Sequence, residues 1–131
     1  MKGETDTMTI ENQPGGVSPS DVPSLLPQNS QSDDYTTALT DGGKHIFHPD
    51  ADTAARTFTI DSNANVPYPL GTGITFVNGH RAGVITIAIT EDTMRMVGTG
   101  AAGSRSLAAD GMATAFKVGP TEWKIIGSGL T

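Results

Sequence analysis

Apolar and polar residues alternate along four stretches of the chain, with the two-residue period of a β-strand that has one buried face. Two of these stretches lie between Val66 and Thr90 and are joined by a turn-rich loop at residues 78–83, so we predict a central β-hairpin there. Two more surround a Gly119–Pro120 turn and predict a closing hairpin. The predicted core positions are Ile74, Phe76, Ile85, Ile87, Ile89, Phe116, Val118, Trp123 and Ile125.

Shorter predicted strands precede the central hairpin, at residues 44–48 and 55–60, and are bounded by turn-forming residues. Residues 104–109 are the one helix-compatible stretch, and it is too short to form a stable helix alone. Short strands separated by frequent turns are typical of small β-domains. The predicted fold class is therefore all-β: a small antiparallel β-sandwich, a jelly-roll-like domain or a barrel.

The composition changes at the turn signal Asp41–Gly43. Residues 1–43 hold seven acidic residues and one lysine, so they carry the whole net charge of −6, while residues 44–131 hold seven acidic and seven basic residues. Tyr35 is the one aromatic residue before the turn, and such a segment buries too little apolar surface to offset its ordering entropy. We predict an acidic, proline-rich arm at 1–43 and a β-domain at 44–131.

Two interpretations of the arm remain open from the sequence. It is either a disordered tail or an extended segment that lies over a partner, since its prolines bias their neighbours toward extended backbone. In the second case its anchors are Val17, Val22, Leu25, Leu26 and Tyr35.

Candidate catalytic and metal-binding motifs lack the context that their chemistry needs. The G-x-G-x-x-G string at residues 98–103 has no following helix to receive a pyrophosphate. His45 and His48 are separated by an odd number of positions and are expected on opposite faces of a strand, so they do not share a metal. We therefore predict no enzymatic activity and no cofactor or metal requirement.

The loop between the two central runs offers a cation, an imidazole and flexible backbone. It is either an ordinary solvated turn or an exposed contact loop, whose candidate residues are Asn78, His80 and Arg81.

Composition also bears on partners and compartments. The sequence contains no cysteine, which excludes disulfides and cysteine zinc sites. Nucleic-acid binding is disfavoured because it rests on clustered lysine and arginine. No run of 18 apolar residues occurs, so we predict no membrane-spanning helix.

Residues 56–130 resemble a β-module that recurs in virion proteins of tailed bacteriophages. The resemblance rests on the order of four pieces: the strand Phe58–Ile60, the segment Pro69-Leu-Gly-Thr72, the strand Gly83-Val-Ile-Thr-Ile87, and the closing Lys117-Val-Gly-Pro-Thr-Glu-Trp123. Each piece alone is turn chemistry plus strand alternation, so the order carries the information.

The resemblance implies a structural virion protein. Because the chain has one β-domain and no repetitive shaft, we expect a capsid decoration (cement) protein on the surface of the phage head. Its expected partners are the major capsid protein and further copies of itself, as a homotrimer, with no nucleic acid and no membrane. The alternatives are a tail-fibre or head-fibre component that contacts the host surface, and a carbohydrate-binding β-module.

Overall fold

The computed structural model describes residues 25–131, and in this part of the chain the fold is all-β, as the alternation predicts. Its helical content is one turn of 3-10 helix at Leu39–Asp41, and no helix in residues 25–131 is long and apolar enough to cross a membrane. The strands are β1 (Gln28–Ser30), β2 (Tyr35–Thr36), β3 (His45–His48), β4 (Arg56–Ile60), β5 (Gly73–Asn78), β6 (Ile85–Ile89), β7 (Thr93–Met96), β8 (Arg105–Gly119) and β9 (Glu122–Leu130).

The first six strands form three tiers of two consecutive strands each: β1 and β2, β3 and β4, and β5 and β6. β1, β3 and β5 pair in parallel in that order, and β2, β4 and β6 pair in the same way beside them. His45 pairs with Thr75 and Arg56 pairs with Ile85, so the second and third tiers are offset by 30 and 29 residues along the chain. Parallel strands need a long crossover connection, and here the other strand of the tier lies within that connection instead of a helix.

Strand β8 pairs with both strands of the third tier. Its residues 112–116 run antiparallel to β5 and its residues 105–107 run antiparallel to β6, so β5 and β6 lie one after the other along the same edge of β8. A bulge between Leu107 and Met112, with Asp110 at a φ of 63°, marks where β8 passes from one partner to the other. The other edge of β8 pairs with β9, which in turn pairs in parallel with β7, and the sheet curls into a half-barrel.

The closing hairpin of β8 and β9 is confirmed, but the predicted central hairpin is wrong. Its two runs are β5 and β6, and they pair with β8 and not with each other. The intervening residues 79–84 therefore carry the chain from the end of one strand to the start of the next. Because the tiers stack in parallel, the sheet is also mixed and not antiparallel.

The predicted boundary after Gly43 is wrong as well, because residues 28–41 belong to the sheet. β1 and β2 pair with β3 and β4, and the 3-10 turn places the buried carboxylate of Asp41 between them. That carboxylate accepts hydrogen bonds from the Tyr35 hydroxyl at 2.6 Å and from the Asn29 side chain at 2.9 Å. The first tier is thus a folded part of the domain.

The core fills the inside of the half-barrel and contains most of the predicted positions. Six of the nine predicted core residues are fully buried and Ile89 packs partly buried against them, but Phe116 and Val118 face outward. Their prediction is wrong because the inner face of β8 carries Ala113 and Ala115, which leave room for large side chains of the neighbouring strands. The buried apolar cluster is Ile46, Phe58, Ile60, Tyr68, Ile74, Phe76, Ile85, Ile87, Met94, Leu107, Ala113, Ala115, Trp123, Ile125 and Leu130.

A lysine also lies on the inner face of β8. Lys117 is buried, and its Nζ donates to Asn63 Oδ1 at 2.7 Å and to the Tyr68 carbonyl at 2.9 Å. Its ammonium lies 6.0 Å from the centre of the Tyr68 ring and 5.9 Å from that of Trp123, within reach of cation–π attraction. Burial raises the pKa of Tyr68 to about 12, so its hydroxyl stays neutral beside Thr37.

Replacement of Ile87 by alanine tests the orientation of β6. Ile87 is fully buried, so Ile87→Ala should lower the free energy of unfolding by about 2 to 5 kcal/mol. The neighbouring Thr86 points to the other face of the strand, and Thr86→Ala is the control, with an expected loss below about 1 kcal/mol. Chemical denaturation of both variants measures the difference, and equal losses would contradict the assigned orientation.

Candidate interaction surface

The outer surface of β3, β5, β8 and β9 carries apolar side chains where a solvated sheet face would be polar. The strand registers place Phe47, Val77 and Met112 in one row across three strands. The next row along β8 holds His45, Thr75 and Thr114 and ends in the apolar Ile126. We call this surface the apolar face, and it consists of Phe47, Val77, Met112, Phe116, Val118 and Ile126.

Four of these side chains are widely open to solvent. Met112 is 50% exposed, Phe116 47%, Val118 43% and Ile126 59%. Single exposed apolar residues are ordinary on protein surfaces, but a contiguous group on a sheet is typical of an interaction site.

The outer surface of the other half of the sheet provides a contrast within the same molecule. There Thr57, Thr86 and Ser106 form one row across β4, β6 and the start of β8, and Thr59 lies in the next row. This half has the alternation of polar outside and apolar inside that a solvated sheet shows. The strand residues of 25–131 that are large, apolar and exposed therefore all lie on the half built from β3, β5, β9 and the C-terminal part of β8.

Charged groups lie at the rim of the apolar face. Lys124 pairs with Phe116 in the sheet, and its ammonium lies 3.9 Å from the carboxylate of Glu122 on the same strand. Arg95 on β7 approaches the same carboxylate at 3.9 Å. The centre is uncharged, and its hydroxyls, those of Thr75 and Thr114, bond to each other at 2.9 Å.

A shallow pocket of about 370 Å³ adjoins the apolar face at the start of β5. Gly73, which lines the pocket, lies next to the face, since a Cβ there would lie 4.0 Å from Cδ1 of Phe116. Leu39 and Leu70, beside the pocket, are also exposed, which extends the apolar surface past the end of the strand. The pocket lining is Leu39, Gly42, Gly43, Pro69, Gly71, Thr72 and Gly73.

The structure separates the predicted anchors of the arm. Val17 and Val22 lie outside the described residues. Leu25 and Leu26 are exposed, which leaves them available for a partner. Tyr35 is not an anchor, because its ring packs edge-on against Phe58 in the core and its hydroxyl bonds to Asp41.

The predicted contact loop also divides into two kinds of residue. The side chains of His80 and Arg81 are exposed, and His80 approaches Asp110 in the β8 bulge at 3.4 Å. Asn78 is buried, so its prediction as a contact residue is wrong. Its Nδ2 donates to the carbonyls of Gly83, Leu107 and Ala108 at 2.9 to 3.2 Å and thereby joins the loop to β8.

Asn78 also determines how the buried imidazole of His48 is bonded. Because Asn78 Nδ2 contacts three carbonyls, its Oδ1 faces His48 Nδ1 at 2.8 Å, and this ring nitrogen must donate. The other ring nitrogen lies 2.6 Å from a carboxylate oxygen of Asp52 and donates as well. Both ring nitrogens of His48 are therefore bonded, and Arg56 extends the network through its ion pair with Asp52.

The side chains of His45 and His48 both take part in hydrogen bonds that join parts of the fold. His45 and His48 lie on opposite faces of β3, as predicted, and His45 bonds to the Leu26 carbonyl and to the side chain of Gln28. Among residues 25–131, no three histidine or carboxylate side chains form a group suited to a metal ion. The glycine-rich residues 98–103 form a turn that leads from β7 toward β8, and no helix follows them.

No protein-family model matches the chain, and no curated protein matches it. Sequence alternation did not predict the apolar face, because it placed Phe116 and Val118 in the core. A signal was present, since both alternating sets of β8 are largely apolar or small, which is typical of a strand covered on both faces.

Truncation of Asn78 tests its role in joining the loop to the sheet. Asn78→Ala leaves one buried carbonyl, two partly buried carbonyls and a ring nitrogen of His48 without their partner, so we expect a loss of about 2 to 4 kcal/mol in unfolding free energy. His80→Ala in the same loop removes an exposed side chain and should cost less than about 0.5 kcal/mol. Thermal and denaturant unfolding measure both, and a near-zero effect of Asn78→Ala would exclude this role.

The ion-pair network predicts a pH dependence of stability. The hydrogen bonds from Arg56, and then from His48, hold the pKa of Asp52 well below its usual range. A carboxylate with a lowered folded pKa contributes stability above its unfolded pKa of about 3.9, and this contribution is lost as the pH falls further. Asp52→Asn should therefore be less stable than wild type near neutral pH.

Melting temperatures measured from neutral pH down to acid pH test this expectation. The difference between wild type and Asp52→Asn should shrink as the pH falls below about 4. Asp33→Asn is the control, because Asp33 is largely exposed and contacts the same Arg56 at 3.2 Å. A difference that stays constant over the whole range would contradict the proposed ion pair.

Proposed function

We propose that the protein is a structural component of a tailed-bacteriophage virion, a capsid decoration protein that binds the major capsid protein on the head surface. The observation that carries this proposal is the apolar face. A large uncharged apolar surface on one half of a sheet, beside a polar surface on the other half, is suited to adhesion to another protein. The resemblance of residues 56–130 to phage virion β-modules supplies the biological setting.

The use of the polar groups inside the fold supports an adhesive role over a catalytic one. His48 bonds to Asn78 and to Asp52, and Asp52 also accepts from Arg56, which places the buried imidazole in a network that joins β3, its following turn and β5. Lys117 is held in the core by Asn63 and Tyr68. A catalytic acid, base or nucleophile has to face the substrate, whereas these groups face each other.

Attachment to the shell is assigned to the segment that precedes β1. Residues 1–24 hold four acidic residues and one lysine, and they include the apolar anchors Val17 and Val22. Leu25 and Leu26 follow directly and are exposed. An acidic segment with sparse apolar anchors is suited to a basic path on a capsid, where charge complementarity favours binding.

A second candidate is a fibre component or a carbohydrate-binding module. The hydroxyl rows of Thr57, Thr59 and Thr86 on the polar half of the sheet favour it, because hydroxyl groups can hydrogen-bond to glycans. The two candidates differ in where the protein resides on the particle and in what it binds.

Binding to empty phage heads tests the proposal. The full-length protein should co-sediment with heads to a constant copy number per particle, and added salt should weaken this binding. A variant without residues 1–24 should bind at least about tenfold more weakly, since it lacks the acidic segment. All the strands and hydrogen bonds described above lie within residues 25–131, so this variant retains them.

The circular dichroism spectrum of the shortened variant is the control for its fold. Equal binding by both proteins would show that the surface that attaches to the head lies on the β-domain. Co-sedimentation with tails, or binding to glycan-coated beads without binding to heads, would favour the second candidate and overturn decoration.

A further inference from the structure

We propose that the apolar face is the interface between two copies of this chain, which pack face to face about a twofold axis as the two layers of a β-sandwich. The inference rests on the proposed function as far as it treats this face as adhesive. It adds that the molecule covering the face is a second copy of this chain and that the contact has twofold symmetry.

The area of the face matches what a stable dimer needs. A fully exposed aromatic side chain presents about 200 Å² and an aliphatic one somewhat less, so the four side chains that are about half exposed contribute at most roughly 400 Å². Specific interfaces bury about 800 Å² per partner, of which roughly 60% is apolar, or about 480 Å². The partly exposed Phe47 and Val77 add to this area.

The charges at the rim suit a second copy of the same surface. In a twofold contact, a residue i of one copy meets a residue j of the other, and j meets i. The rim carries both signs close together, with Glu122 within 3.9 Å of Lys124 and of Arg95. Two copies related by a twofold axis can therefore place the acid of each against a base of the other.

The architecture of the sheet also favours a second layer. The half-barrel covers its inner surface with its own side chains, but within residues 25–131 no element covers the apolar face. Two twisted sheets pack about 10 Å apart with their strands roughly aligned, and their facing side chains form a shared core. A small domain gains most from such sharing, because it buries a low fraction of its surface alone.

Sedimentation equilibrium of the full-length protein, without any phage component, tests the inference. The expected mass is twice the 13.6 kDa of one chain, with dissociation on dilution. Replacing Phe116, Val118 and Ile126 together by threonine, which keeps a high strand propensity, should raise the dissociation constant at least about 100-fold.

A matched pair of single substitutions tests whether the dimer depends on the apolar face or on any exposed apolar side chain. Val118→Thr and Val84→Thr make the same chemical change at residues that are 43% and 47% exposed, and Val84 precedes β6 beside the polar half of the sheet. Only Val118→Thr should weaken the dimer, by about three- to tenfold. Circular dichroism and thermal melts of all variants confirm that the sheet is intact.

The other outcomes overturn the inference in distinguishable ways. A monomeric wild type assigns the face to another protein, such as the capsid subunit, and a trimer excludes the twofold contact. A dimer that is unaffected by the triple substitution places the interface elsewhere. Failure to bind heads by a protein that dimerises through this face would overturn the proposed function and leave the dimer standing.

Discussion

The pairing of β8 along both of its edges is the constraint on which the rest of the domain depends. Three parallel tiers leave the backbone groups of β5 and β6 unpaired on one side, and unpaired backbone groups at a sheet edge are costly when buried and prone to association when exposed. The 15 residues of β8 are enough to pair with both strands of the third tier in succession. The bulge at Asp110 adjusts the strand between its two partners, and β9 and β7 then extend the sheet on the other side.

This arrangement determines what β8 can place on each of its faces. Its inner face lies over Phe76 and Ile74 and beside Ile125 and Trp123, so Ala113 and Ala115 fit where larger side chains would collide. The large apolar residues Met112, Phe116 and Val118, at the alternate positions of β8, are directed outward. The apolar face is thus a consequence of how the core is filled, and it leaves the domain with a surface that a partner can cover.

The tiers are joined by polar contacts as well as by strand pairing. Asn78 at the end of β5 binds His48 at the end of β3, the loop before β6, and the backbone of β8. Asp41 plays a comparable part in the first tier, where it binds Tyr35 and Asn29. These buried polar groups thus join the strands of successive tiers to one another and to β8.

The sequence by itself determined the class of the fold and the position of most strands. Alternation and turn residues are local features, and they placed β3, β4, β5, β6 and the β8–β9 hairpin close to where they lie. They also placed Ile74, Phe76, Ile85, Ile87, Trp123 and Ile125 in the core, because large apolar residues at every second position have a strong preference for burial.

Only the tertiary structure decided which strands pair and which face of β8 is inside. Backbone hydrogen bonds are the same for any neighbouring strand, so the alternation around β5 and β6 did not distinguish a hairpin from two strands placed along β8. The second and third tiers are offset by about 30 residues along the chain. Strand propensities are local, so they do not predict pairing over this distance. Alternation likewise defines two faces of β8 without indicating which one is buried. The volume available beside Phe76 and Trp123 suits alanine and not Phe116, and this decides which face is inside.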